Sequence, residues 1–432
     1  MRCNYEDIKE KRTLVYRVNI IFDVFGAGNL IFPPFLGEQA GGLAWFAMIG
    51  FIISAVGLPV LGVIAVAKAG GLKPLAGRVH PKFAFVFTLL IYLSIGPCLA
   101  IPRTASTSFE MTIVPFIGNY GKIAQFIYSF VFFGIALYMA LNPEKLSDRL
   151  GKVLCPILLC LISIIFIGSF FAGTFQYGTS IEPYTSHSLI QGFLDGYQTM
   201  DTIAALNFGI IIALNIQSKG IHDSKTIVSS TMKAGLIAGF CLTLVYCALL
   251  HIGGLAGNIN GYHSNGAQTL MQFVEYLFKN TGVIILGATF FIACLNTCIG
   301  LICCCSEYFY EIIPQISYKK WAFLFAGLSM IISNIGLDMI LQVSVPVLNF
   351  LYPLSIVLIV LAFLHPWIHK YTYVYQITML LTGIGSILGL LPSLGLNYQW
   401  LHSIPLYNQS LGWIIFSAVG LCLSICVNTQ KE

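Results

Sequence analysis

Apolar residues run in stretches of about 20 along the whole chain, each matched to the ~30 Å hydrocarbon core of a bilayer at about 1.5 Å of rise per residue. The pattern predicts about twelve membrane-spanning helices. Their approximate limits are 14–35, 43–67, 83–109, 123–141, 153–173, 193–216, 230–256, 282–306, 321–337, 343–364, 372–391 and 409–427. No hydrophilic stretch is long enough for a soluble domain, so residues 1–432 read as a single membrane domain. The Gly/Asn-rich stretch 253–266 reads as loop, with a short helix over about 268–278. It is taken as a connector in preference to a lid.

Two spans are interrupted by polar and small residues. In span 1 the interruption is Phe25-Gly26-Ala27-Gly28-Asn29-Leu30-Ile31-Phe32-Pro33-Pro34, and in span 6 it is Gly192-Phe193-Leu194-Asp195-Gly196-Tyr197-Gln198-Thr199-Met200-Asp201-Thr202. Irregular backbone at membrane depth strands N–H and C=O groups, so it persists only where protein buries it or where it lines a polar cavity. Five spans separate the two breaks. An odd number of spans per half inverts one half relative to the other, so residues 14–173 and 193–364 read as inverted halves whose breaks meet near the midplane. Residues 372–427 are two appended helices.

Composition agrees with this pattern: the chain is 57% hydrophobic and 9% charged, against about 25% charged in ordinary soluble domains. With a cytoplasmic N-terminus, the inner segments carry all but Arg103, Lys122 and Lys279 of the 22 Lys and Arg residues. That asymmetry places both termini in the cytoplasm. The net charge of +5 therefore reports topology and implies no nucleic-acid partner. The first apolar segment outruns a signal-peptide core and has no small-residue cleavage site, so it is read as a retained anchor. Of the 13 cysteines all but Cys3 fall within spans, where they act as small packing residues. The Cys303-Cys304-Cys305 run, near a cytoplasmic helix end, is a secondary candidate for acylation or redox sensitivity.

The breaks define opposite polarities. Gly26 and Gly28 permit backbone angles closed to other residues and free amides at the start of the following half-helix, where the dipole suits a carboxylate. Asn29 adds a donor and an acceptor. The competing reading is a close helix contact, with Pro33 and Pro34 ending the helix. At the second break, carbonyls at the end of the first half-helix accept from an ammonium group, with Thr199 and Asp201 nearby. An anion site facing a cation site describes a zwitterion pocket, and Phe25, Tyr197, Met200 and Phe208 suit an aliphatic side chain.

Intramembrane acids are costly and so are functional candidates. Asp23 lies near the midplane, as a cation ligand, a protonatable coupling group or a packed neutral acid; Asp201 is the second candidate. Asp338 lies near an outer helix end and is read as solvated. In span 8, Ala293-Cys294-Leu295-Asn296-Thr297 brings oxygens into an apolar helix. Thr hydroxyls often bond back to their own helix, but if this span faces the first break its hard oxygens suit Na+. Pro346 and Pro353 are expected to kink span 10. His365 and His369 have i, i+4 spacing, but Pro366 is expected to disturb the helix between them and no third metal ligand is evident. No nucleophile elbow, phosphate loop or metal cluster appears, and the chain is not read as an enzyme.

Five blocks in order carry a family resemblance: Phe25 to Gly41 (FGAGNLIFPPFLGEQAG), Ser94 to Glu110 (SIGPCLAIPRTASTSFE), Gly192 to Gly209 (GFLDGYQTMDTIAALNFG), Ala293 to Leu301 (ACLNTCIGL) and Val343 to Pro353 (VSVPVLNFLYP). The chain resembles the bacterial branched-chain amino acid:cation symporters of the LIV-II carrier type. The resemblance implies an all-α polytopic LeuT-type fold in the cell (inner) membrane, built as a 5+5 inverted repeat with helices 1 and 6 broken. It also implies alternating access and uptake of leucine, isoleucine and valine, usually with Na+ and without a cofactor. Gly26, Ala27, Gly28 and Asn29 then resemble the carboxylate-binding break, and Tyr197, Thr199, Met200 and Asp201 belong to the amine-binding break. Carbonyls of Phe22 and Phe25, with Ala293 and Thr297, resemble the cation site. Two residues depart from the family: Asp23 stands where apolar residues are usual, and Asn296 where Val or Thr is common. Both add oxygen near the ion path, which leaves H+ beside Na+ as a coupling ion.

Overall fold

A computed structural model describes residues 26, 28–118, 121–141, 147–207, 209, 224–259, 261–396 and 398–426. These residues form helices and no β-strand. In chain order the principal helices are α1 (Gly28–Ala40), α2 (Ala44–Ile52), α3 (Leu58–Ala69), α4 (Pro81–Leu93), α5 (Ala100–Thr112), α6 (Lys122–Ala140), α7 (Ser147–Ser169), α8 (Tyr184–Asp195), α9 (Ser224–Ile259), α10 (Gly266–Ile312), α11 (Tyr318–Ser333), α12 (Leu337–Ile368), α13 (Val374–Leu390) and α14 (Trp413–Cys426). Wide π-helical turns, Ile53–Gly57 and Ser94–Cys98, join α2 to α3 and α4 to α5. Residues 201–207 form a further helical segment. Among the described residues, six stretches are long and apolar enough to cross a membrane, from Gly28–Ala69 to Leu337–Ile368, and three shorter apolar helices accompany them.

The surface of α6 shows why a bilayer is the solvent. Ile123, Phe126, Ile127, Phe130 and Val131 are all more than half exposed, whereas Phe132, Phe133, Ala136 and Met139 are buried. An apolar stripe at i, i+3, i+4, i+7 facing outward inverts the pattern of a soluble helix.

The described residues divide into two compact units. The first comprises residues 1–52, 93–199 and 236–342. Its axis is α10, which packs against α1, α5, α6, α7 and α11. Ile101 and Ala105 of α5, Phe132 and Phe133 of α6, and Ile299 and Ile302 of α10 form its core. Cys294 and Cys298 sit in that core as small packing residues. A close contact joins α2 and α8: a Cβ on Gly50 would lie 1.9 Å from the Leu189 carbonyl oxygen, and one on Gly192 would lie 1.9 Å from that of Ala47. The two glycines bring the backbones together where lipid offers no hydrophobic drive for association.

Also within this unit, residues 253–259, read as loop, continue helix α9, and the short helix expected over 268–278 is the first arm of α10. Asn265 caps the start of α10, its Oδ1 accepting from the amides of Ala267 and Gln268 at 3.1 Å each. The helix then breaks at Lys279, which has φ +52°. Leu270, Met271, Phe273 and Val274 of the first arm are buried. The loop ahead of it is tied by His263, whose ring nitrogen and amide both meet the buried Glu38 carboxylate. Asn265 donates to Asp338 at 2.7 Å, so that acid is engaged rather than merely solvated.

The second unit comprises residues 53–92, 200–235 and 343–432. Here α13 and α14 form an antiparallel pair, with the hydroxyls of Thr382 and Ser417 2.9 Å apart and Gly420 against the Thr378 backbone. His365 Nδ1 meets the Tyr375 hydroxyl at 3.1 Å, and His369 Nδ1 faces the carbonyl of Pro366 at 3.0 Å. Contrary to expectation, α12 continues through Pro366 to Ile368. Likewise Pro33 and Pro34 lie inside α1 and do not end it.

Candidate functional site

At the first break, Gly26 is non-helical and its carbonyl accepts from the Asn29 amide at 3.1 Å. Helix α1 begins at Gly28, and the Asn29 side chain is buried. Phe22, Asp23, Phe25 and Ala27 lie outside the described residues, as does the rest of the chain before Gly26. Gly28 itself is helical, so its role is not an unusual backbone angle. A Cβ there would lie 2.8 Å from Nη2 of Arg103, which shows what the missing side chain makes room for.

Arg103 is the residue that sequence reasoning misplaced. Counted there with the outer charges, it sits inside α5 at 5% exposure. Its Nη1 donates to the Gln198 carbonyl at 2.7 Å, and its guanidinium lies 5.4 Å from the centre of the Phe32 ring. The signal was present: Arg103 lies six residues inside the predicted limit of span 3, about 9 Å from its end at 1.5 Å per residue. A charge that deep is a functional candidate by default.

The second break follows α8. Gly196–Thr199 forms one tight 3₁₀ turn, closed by the Thr199 hydroxyl on the Gly196 carbonyl at 2.9 Å. Tyr197 is buried with its ring edge-on to Phe193 at 5.3 Å. The Oε1 of Gln198, a residue 8% exposed, has no partner among the described residues. Asp195, also passed over among the intramembrane acids, accepts from the Tyr184 hydroxyl at 2.8 Å and from Gln191 at 2.9 Å.

The second unit takes up the chain at Met200, which has φ +63°. This non-glycine residue carries the positive φ expected of the break. Met200, Asp201 and Thr202 are buried, and Thr202 donates to the Ser54 carbonyl at 3.3 Å. Phe208 lies outside the described residues.

On α10, the Thr297 hydroxyl donates to the Ala293 carbonyl at 3.1 Å, the back-bond that Thr side chains commonly make in helices. That bond sets two oxygens side by side. Thr297 Cγ2 would lie 3.9 Å from a Cβ on Gly26, so this helix does face the first break. The buried Oδ1 of Asn296 has no partner among the described residues. Gly26, Gly28, Asn29, Arg103, Gln198 and Thr297 thus belong to one neighbourhood of the first unit.

Broken helices with charged and backbone groups at the breaks define a membrane transporter. The fold agrees. It is similar to that of Mhp1, a nucleobase-cation-symport-1 family transporter solved with bromovinylhydantoin bound, with a TM-score of 0.62, 10% identity and coverage of 94% of this chain and 90% of that one. It is also similar to MhsT, solved in complex with L-phenylalanine, with a TM-score of 0.59, 13% identity and coverage of 96% and 97%. The architecture is the LeuT-type fold of those transporters.

The family follows from sequence. Residues 10–431 match the branched-chain amino acid transport protein family, and the chain belongs to it. The chain is 39% identical to the branched-chain amino acid permease BraB of Bacillus subtilis over 98% of this chain and 97% of that protein. It is 41% identical to the branched-chain amino acid transport system 2 carrier protein of Pseudomonas aeruginosa over 93% and 92%. With BrnQ of Escherichia coli the identity is 38% over 93% and 92%. These relatives are permeases and carriers, not enzymes.

Proposed function

We propose that this protein is a secondary active symporter that imports leucine, isoleucine and valine with Na+ by alternating access. It resides in the bacterial inner membrane with both termini in the cytoplasm. The observation that carries the reading is a neighbourhood of opposite polarities: the amide end of α1 at Gly28 and the Arg103 guanidinium beside the Gly196–Thr199 turn, whose Gln198 Oε1 is buried without a partner among the described residues. A zwitterion satisfies both. In this reading Gly26, Ala27, Gly28 and Asn29 hold the carboxylate, and Tyr197, Thr199, Met200 and Asp201 surround the amine and the start of the side chain.

The cation is assigned to carbonyls of Phe22, Phe25 and Ala293 with the oxygens of Asn296 and Thr297. The adjacent oxygens on α10 and the unpartnered Asn296 Oδ1 support Na+, a hard ion needing oxygen ligands. Asp23 is the residue that would carry a proton were H+ the driver. The inverted halves, residues 14–173 and 193–364, supply the rocking motion, and 372–427 are appended.

Symport suits the substrate because a neutral zwitterion gains nothing from membrane potential. One coupled cation crossing 100 mV contributes about 2.3 kcal/mol, enough for roughly 50-fold accumulation at about 1.4 kcal/mol per factor of ten. Leucine uptake into proteoliposomes under separately imposed Na+ and pH gradients tests the reading. Accumulation driven by Na+ alone supports it, accumulation driven only by pH transfers coupling to H+, and equilibration without accumulation removes symport.

A further inference from the structure

We propose that Arg103 binds the substrate's carboxylate and makes that group the main determinant of recognition. The inference rests on the proposed transport of a zwitterionic amino acid and names the residue that selects for it. Three observations converge. Arg103 is buried within a membrane helix, where an ionised group is costly and is retained for function. It stands beside the start of α1, since only the absence of a side chain at Gly28 lets Nη2 lie there. The positive end of a helix dipole and a guanidinium then share one neighbourhood, an arrangement that favours an anion over an empty site.

The third observation is orientation. The bond from Nη1 to the Gln198 carbonyl holds the planar fork by one arm, while the other arm lies on the α1 break. A guanidinium fork matches the two oxygens of a carboxylate, and a charge-assisted pair of this kind is roughly twice as strong as a neutral one. Gln198 also carries the buried, unpartnered Oε1, an acceptor that an ammonium group satisfies. One residue pair therefore sets a guanidinium and an amide oxygen side by side, matching in charge and polarity the two ends of an α-amino acid.

The test compares leucine with leucinol, which keeps the amine and side chain but lacks the carboxylate, in binding to the purified full-length protein. Wild-type protein is expected to prefer leucine strongly. Arg103→Gln is expected to lower leucine affinity at least about 30-fold, the loss typical of removing one partner of a buried charge pair, while leaving leucinol affinity unchanged, so that the preference collapses. Arg103→Lys keeps the charge but loses the fork, and is expected to fall between the two. Equal losses for leucine and leucinol would make Arg103 only a structural tie and overturn the proposal, as would leucine affinity within threefold of wild type in Arg103→Gln. If Arg103→Gln does not fold, the selective loss of leucine in Arg103→Lys decides, and its absence overturns the proposal. Failure of the wild-type protein to bind leucine at all would instead sink the transport reading.

Discussion

Arg103 donates a 2.7 Å hydrogen bond from Nη1 to the Gln198 carbonyl, so the only described charge in α5 ahead of Glu110 is anchored to the backbone of the second break. The glycine that admits it is Gly28, and the two break glycines therefore differ in what they do. An added Cβ at Gly28 meets Nη2 at 2.8 Å, whereas one at Gly26 meets its nearest neighbour, Thr297 Cγ2, only at 3.9 Å. Gly28→Ala is expected to displace the guanidinium and weaken leucine binding about tenfold, equivalent to about 1.4 kcal/mol. Gly26→Ala is expected to cost markedly less. Leucine affinities of the two purified variants check the order, and a larger loss at Gly26 would reverse the assignment.

Thr297→Ala removes the hydroxyl beside the Ala293 carbonyl and is expected to raise the cation concentration needed for half-maximal uptake more than it alters recognition of leucine. Binding linkage is reciprocal, so apparent leucine affinity falls at low cation and recovers when cation saturates. Uptake measured over a Na+ titration checks this. An unchanged titration would remove α10 from the ion site.

Much of the architecture was legible because bilayer thickness imposes a length on every apolar run, and because glycine and amide residues stand out inside such runs. The break in span 6 was found within Gly192 to Thr202, and the structure has the 3₁₀ turn Gly196–Thr199 and the left-handed Met200 inside those limits. The start of that span was missed: α8 begins at Tyr184, since the polar run Thr185-Ser186-His187-Ser188 interrupts the apolar stretch and carries no hydropathy signal. Arg103 was lost for a related reason, since charge counting sorts basic residues by side of the membrane and does not ask whether a helix can bury one. The arm of α10 from Gly266 matches the short helix expected over 268–278, whereas residues 253–259 read as loop although they continue α9, because Gly253 and Gly257 serve close approaches to the α1 backbone that only the tertiary structure supplies.

The glycine pair at α2 and α8 yields a stability prediction. A side chain at Gly192 would have to displace the Ala47 backbone, since the first added carbon already falls 1.9 Å from its carbonyl oxygen. Gly192→Val is expected to cost about 3 kcal/mol or more, at the upper end for overpacking a tight contact. A fall in melting temperature of the detergent-purified protein checks it. Gly300→Ala, where an added Cβ meets nothing within 4 Å, serves as the control and should melt like wild type.

His263 makes stability depend on pH. Its hydrogen bond to the buried Glu38 carboxylate holds its pKa above the ordinary 6.5, outweighing the opposing effect of burial, with smaller raising contributions from Gln272 and the Glu38 charge. A raised folded-state pKa means that the stabilisation is fully present below about pH 6.5, the unfolded value. It is lost as pH rises through the folded value. The melting temperature of wild-type protein is expected to fall over that window, while His263→Gln lacks this component. Parallel pH profiles for the two proteins would contradict it.

The central claim, that an amino acid is held by its two charged ends at the paired breaks, is tested most directly by an experimental structure with leucine bound. The account predicts the leucine carboxylate within hydrogen-bonding distance of Arg103 and the start of α1, with the ammonium on carbonyl or amide oxygens at the Gly196–Thr199 turn. Leucine bound away from Gly28 and Arg103, or with its ammonium toward the guanidinium, would contradict it.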